Sequence, residues 1–227
     1  MWIRLGIVAI FFFSGATALV YEILWSRQFV TVFGNSAYAI SIVLAAFMGG
    51  LGIGGILLGR VADRTRDPLR LYAILEVGIA ISATLIPRLL ELLRELTPVL
   101  FANLGGDLVP VSVLRLVFSF LVLLVPCTLI GGTLPVLARF CVDAKKFVGQ
   151  RIGVLYGFNT LGGAFGCLLA GYYLIETLGI TVTSRLAALG NISIAVAVIL
   201  IRLLHFSHGQ HDPDTPLPRV SEPRLIP

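Results

Sequence analysis

Charge is scarce in this chain: Asp, Glu, Lys and Arg make up 13% of its 227 residues. A soluble domain carries about 25%, because its surface has to be wetted. Half that supply cannot cover a water-exposed globule of this size, which leaves little room for a soluble enzyme. Cysteine is scarce as well. Cys127, Cys141 and Cys167 fall in or beside apolar runs at no ligand-like spacing. An odd, unpatterned set argues against a disulfide scaffold. No bound metal and no cofactor are expected. What the chain has in excess is apolar side chains, 57% of the total, for a mean hydropathy of +0.97. That combination describes a polytopic membrane protein, whose outer surface meets lipid.

A bilayer core takes roughly 20 mostly apolar helical residues to cross. Six stretches qualify, at about 5–25, 39–58, 71–90, 116–137, 152–174 and 186–204. The expected fold class is therefore all-α, a six-helix transmembrane domain over 1–204. Residues 205–227 form a tail with five prolines, expected to be disordered and cytoplasmic. The opening imitates a secretory signal, with Arg4, an apolar run and Ala16-Thr17-Ala18. The apolar run continues through Trp25, which a cleaved signal would not need. Residues 88–104 alternate leucines with Arg88, Glu91, Arg94 and Glu95 at helical spacing. They fit either a helix lying in the interface plane or an extension of the third span.

The net charge of +5 and pI of 9.4 reflect loop arginines rather than a nucleic-acid partner. With the N-terminus inside, the inner face collects 12 of the 17 Lys and Arg residues and the outer face 5. The positive-inside rule then places both termini in the cytoplasm of a multi-pass inner (plasma) membrane protein.

A shift of 112 residues lays Arg27 on Arg139, Gly50 on Gly162, Gly54 on Gly166 and Gly59 on Gly171. Three spans per half is an odd number, so the halves would form a 3+3 inverted repeat, as in many transporters. Glycines four apart give a helix a flat stripe for close packing, assigned here to Gly50, Gly54, Gly162 and Gly166.

Two stretches resemble a known family. One runs Ser14-Gly15-Ala16, Leu19-Val20-Tyr21-Glu22-Ile23-Leu24-Trp25, Arg27, Phe33-Gly34-Asn35-Ser36 and Gly49-Gly50-Leu51-Gly52-Ile53-Gly54. The other is Gly131-Gly132-Thr133-Leu134-Pro135-Val136-Leu137, then Gly153-Val154-Leu155-Tyr156-Gly157-Phe158-Asn159-Thr160-Leu161-Gly162. Both are similar to the membrane domain of the fused spermidine synthase-like membrane proteins, itself like half a major facilitator. Gly59-Arg60-Val61-Ala62-Asp63-Arg64 likewise resembles the cytoplasmic loop between the second and third helices of major facilitators, which implies that Asp63, followed by Arg64, sits near helix ends and pairs with arginines. In that family a soluble aminopropyltransferase-like domain follows the membrane region. No counterpart of its catalytic residues is expected here, so the resemblance implies no enzyme.

The candidate site residues are Tyr21, Glu22, Glu76, Pro126 and Asn159. An ionisable group at membrane depth is costly and marks function. Glu22 reads as a site residue or as a boundary residue near Trp25 and Arg27. Glu76 reads mainly as a structural partner of Arg60, Arg64 or Arg70. Pro126 reads either as a packing kink in the fourth span or as a break in it, the latter a pointer to a transporter binding site. Asn159 reads as a hydrogen bond between helices. The pattern Gly50-Leu51-Gly52-Ile53-Gly54-Gly55 matches a dinucleotide fingerprint in letters only, because it lies inside an apolar span. His205, His208 and His211 share spacing but no designed site.

The expected function is a non-catalytic membrane module, a subunit or anchor for a foreign membrane or cytoplasmic protein. The other reading is a small-solute transporter, with a polyamine-like cation suggested by the family, built as a homodimer of six-helix halves. Cysteine placed at Asp67 or Lys145 is expected to resist labelling from outside intact cells. Labelling at both positions would overturn the topology.

Overall fold

A computed structural model describes residues 2–103, 107–141 and 148–208. Lys145, Lys146, His211 and most of the proline-rich segment lie outside the described residues. Every element is helical, with no strand among the described residues. The helices are α1 (Trp2–Phe33), α2 (Ser36–Arg64), α3 (Pro68–Asn103), α4 (Leu108–Cys141), α5 (Val148–Leu169) and α6 (Ile175–His208). One π-helical turn, Ala170–Leu174, joins the last two.

Five helical stretches among the described residues are long and apolar enough to cross a membrane: Leu5–Phe33, Ser36–Arg64, Pro68–Asn103, Leu108–Cys141 and Gly149–Leu204. Their outer surfaces are apolar too, with Tyr172, Val109, Leu108 and Leu161 each more than 60% exposed. A chain that turns such faces outward belongs in lipid, and the protein is a membrane protein. The fifth stretch explains why the count is five where six spans are expected. It runs 56 residues, because helical geometry continues through the π turn and breaks only at Gly179.

Gly179 has φ 76° and ψ 170°, a conformation that L side chains avoid. The chain reverses there. Asn159, Gly162 and Gly166 of α5 meet Phe11, Phe12 and Ala16 in rising order, so α5 runs parallel to α1. Past the break, Gly190 meets Thr17 and Ile201 meets Gly6, so α6 runs antiparallel to α1. Thr183, fully buried, clamps the turn by donating to the carbonyls of Gly179 at 2.8 Å and Leu174 at 3.1 Å.

The turns that lead into α2 and α3 are short. Gly34 takes φ 68°, and Asn35 caps α2 by accepting from the Ala37 N–H at 2.8 Å. Between α2 and α3, Asp67 accepts from the Arg70 N–H at 3.1 Å, and its second oxygen takes the Arg202 guanidinium at 2.5 Å. That pair ties the α2–α3 turn to the end of α6. Asp63 and Arg64, expected in this loop, instead form the last turn of α2. Both are exposed, and Asp63 makes no ion pair among the described residues. The acid that meets an arginine is Asp67.

Residues 88–103 extend the third span, one of the two readings above, since α3 continues unbroken through Pro87 and Pro98, burying Leu90 and Leu93. Two more expectations are corrected. Pro126 does not break its span, since α4 runs through Pro126 and Pro135. Trp25 does not mark an interface. It is buried and stacks on Tyr21, centroids 5.5 Å apart.

Glycine stripes set the closest approaches. A Cβ on Gly50 would collide with Cys127, and one on Gly54 with the Thr128 carbonyl. On α5, a Cβ on Gly162 or Gly166 would strike the carbonyl of Phe12 or Ala16. At Gly54, Gly162 and Gly166 the obstructing atoms are backbone, which cannot rotate away. Gly54→Leu and Gly166→Leu are each expected to force helices apart and lose about 1–3 kcal/mol. Thermal unfolding in one detergent checks this, and parent-like behaviour of both variants would contradict it.

Candidate functional site

Water-free surroundings make a polar side chain find its partners inside the protein. Seven polar or charged residues are buried among those described, and only Glu76 is charged. Glu76 projects from α3 and is fully buried. Its Oε1 accepts from the Ser14 hydroxyl of α1 at 2.7 Å, and its Oε2 accepts from Asn191 Nδ2 of α6 at 2.6 Å. Tyr21 of α1 then donates its hydroxyl to Asn191 Oδ1 at 3.2 Å. The Tyr72 hydroxyl lies beside Ser14 and Glu76, buried and without a well-aligned hydrogen bond. Four side chains from three helices, Ser14, Tyr21, Tyr72 and Asn191, thus gather around one carboxyl group.

The cluster sits between two apolar cores. On each helix the polar residue is flanked by one member of either core: Phe11 and Ala18 around Ser14, Leu75 and Ile79 around Glu76, Ala187 and Ile194 around Asn191. No cation is within ion-pair distance of Glu76 among the described residues. Arg60, Arg64 and Arg70, its expected partners, are exposed. Helical spacing explains the miss. Glu76 lies on the face of α3 that meets α1 and α6, whereas those arginines stay at the wet end of the bundle.

The other candidates are not brought into this cluster. Glu22 is half-buried, one position past Tyr21 and so turned toward α4, where it lies near Cys127. Its carboxylate makes no hydrogen bond or ion pair among the described residues, with Arg27 or otherwise. Pro126 is buried in α4 next to Cys127, at the Gly50 contact. Asn159 donates from Nδ2 to the Phe11 carbonyl at 3.0 Å, over the spot where Gly15 admits its backbone. It is glue between α5 and α1.

Sequence reasoning missed Ser14, Tyr72 and Asn191 as site residues. Asn191 had a signal, being a lone amide within an apolar span, the same cue that marks Asn159. Ser14 had none, because a serine can satisfy itself on its own helix. No family model, curated protein or solved structure matches this chain.

The two asparagines are expected to separate on substitution by leucine. Asn191→Leu strips a donor from the Glu76 carboxyl and leaves the Tyr21 hydroxyl unpaired, a loss of about 1.5–3 kcal/mol. Asn159→Leu removes a bond to a carbonyl already inside a helix, nearer the ~0.6 kcal/mol average for membrane hydrogen bonds. Thermal unfolding of both variants checks the order, and equal losses would show that Glu76 does not depend on Asn191.

Proposed function

We propose that this chain is a six-span integral membrane module, without chemistry of its own, that serves a protein partner as subunit or anchor. The observation that carries this reading is the closed state of the Glu76 cluster. Both carboxyl oxygens are taken, and apolar core lies on either side. A solute site needs a concave opening lined with free polar groups. Here the polar groups hold α1, α3 and α6 to one another.

The reversal at Gly179 supports six crossings. A straight helix of the fifth stretch would reach about 84 Å at 1.5 Å per residue, against a hydrocarbon core of about 30 Å. Divided at the turn, it supplies two spans. The inverted repeat has support in matched contacts. Under the 112-residue shift, Gly54 against Thr128 becomes Gly166 against Ala16, and Gly78 against Leu129 becomes Gly190 against Thr17. Parallel pairs α2 with α4 and α5 with α1 exchange under the same operation. This agrees with the resemblance to the membrane domain of spermidine synthase-like proteins and to half a major facilitator. The basic bias assigns both termini to the cytoplasm, and the Asp67–Arg202 pair keeps the α2–α3 turn on the side where α6 ends.

The transporter reading keeps one specific observation. Glu22 is half-buried against α4 with no partner among the described residues, which suits a face completed by a second copy. The mass of the detergent-solubilised complex decides between them. One chain with a foreign protein at fixed stoichiometry is expected, unchanged by Glu22→Gln. A homodimer whose uptake of an amine in proteoliposomes falls with Glu22→Gln would establish the transporter instead.

A further inference from the structure

Between α3 and α6 an open groove of about 500 Å³ runs along the outside of the bundle. Its floor is Ala73 and Ala195, 5% and 4% exposed, and its rims carry Ile74, Val196 and Leu200, each more than half exposed. The trough exists because two small side chains stand between larger branched ones. Its walls are apolar from Val77 and Ile192 down to Ile199, a run of about 10 Å at helical rise. At the lower end the lining changes to a single cation, Arg70.

The charge at that end is unbalanced. Asp67, the nearest acid on the same turn, already uses one oxygen on the Arg70 backbone N–H and the other on Arg202. The Arg70 side chain is exposed and forms no ion pair among the described residues. An apolar trough closed by one uncompensated guanidinium matches a molecule with a hydrocarbon chain and an anionic head. We propose that this groove binds one anionic phospholipid, its acyl chain along Ala73 and Ala195 and its phosphate on Arg70. A guanidinium offers two parallel N–H donors to phosphate oxygens, which a zwitterionic head answers only with its own ammonium competing. The proposal rests on the membrane placement of the bundle and not on any partner.

The test is native mass spectrometry of the full chain in a mild detergent, titrated with phosphatidylglycerol or with phosphatidylcholine of the same acyl chains. One phosphatidylglycerol is expected to stay bound, about tenfold more tightly than phosphatidylcholine, the scale of one charge-assisted contact. Arg70→Gln removes that preference, and Arg70→Lys keeps part of it. Ala195→Leu fills the floor and weakens both lipids. Should that variant fail to fold, Ile192→Trp fills the groove from its exposed rim instead. Equal retention of the two lipids by the parent, or undiminished preference in Arg70→Gln, overturns the site. Those results leave the recovery of a protein partner untouched, and a missing partner leaves the lipid preference readable.

Discussion

Glu76 is fully buried, and that constraint governs how α1, α3 and α6 are held. A carboxyl group in an apolar interior costs several kcal/mol unless its oxygens are taken. Ser14 and Asn191 take them, at 2.7 and 2.6 Å, and Tyr21 orients Asn191 by donating to its carbonyl oxygen. Because one amide donates its N–H to Glu76 and accepts at its oxygen from Tyr21, the register of α6 against α1 is coupled to that of α3. A slide of one helix by a turn would break two bonds at once. Leucine packing alone is far more tolerant of such slides.

Backbone contact then limits what the polar lock leaves free. Lipid tails are as apolar as leucine, so helices in a membrane gain little from burying apolar surface against each other. Close approach supplies the missing attraction. Gly54 on the Thr128 carbonyl holds α2 to α4, and Gly166 on the Ala16 carbonyl holds α5 to α1. The polar cluster has no copy in the second half. The 112-residue shift carries Ser14 to Pro126, Glu76 to Ala188 and Asn191 back to Ile79. These packing contacts match under the shift, while the site belongs to one arrangement of α1, α3 and α6.

What was legible in the residues is what period and composition control. The apolar runs located the long apolar stretches, the last two runs falling within one of 56 residues, and glycine spacing located the tight contacts, because both depend on side chains within one helix. The site was legible only in part. Tyr21 and Glu76 stood out as polar groups at membrane depth, but the partner of Glu76 was sought among arginines near it in sequence. The true partners lie 62 and 115 residues away, on helices whose facing sides no single-span pattern reveals. Trp25 misled for a related reason. Its depth was read from an expected span end, and α1 runs eight residues further, to Phe33.

Helix ends were the least legible, and Pro126 against Gly179 shows why. Proline removes one donor and crowds one carbonyl, yet a neighbouring helix can absorb that locally, and in α4 it leaves the helix unbroken. Gly179 removes nothing and permits a backbone that no other residue enters cheaply. With Thr183 present to bond the carbonyls of Leu174 and Gly179, the reversal is closed without water. The preceding π turn shifts the face that α5 presents, so Ala170 stays buried against the core as the chain approaches the bend. A membrane chain thus turns where its freed carbonyls can be answered, and the side chain that answers them marks the turn better than the proline does.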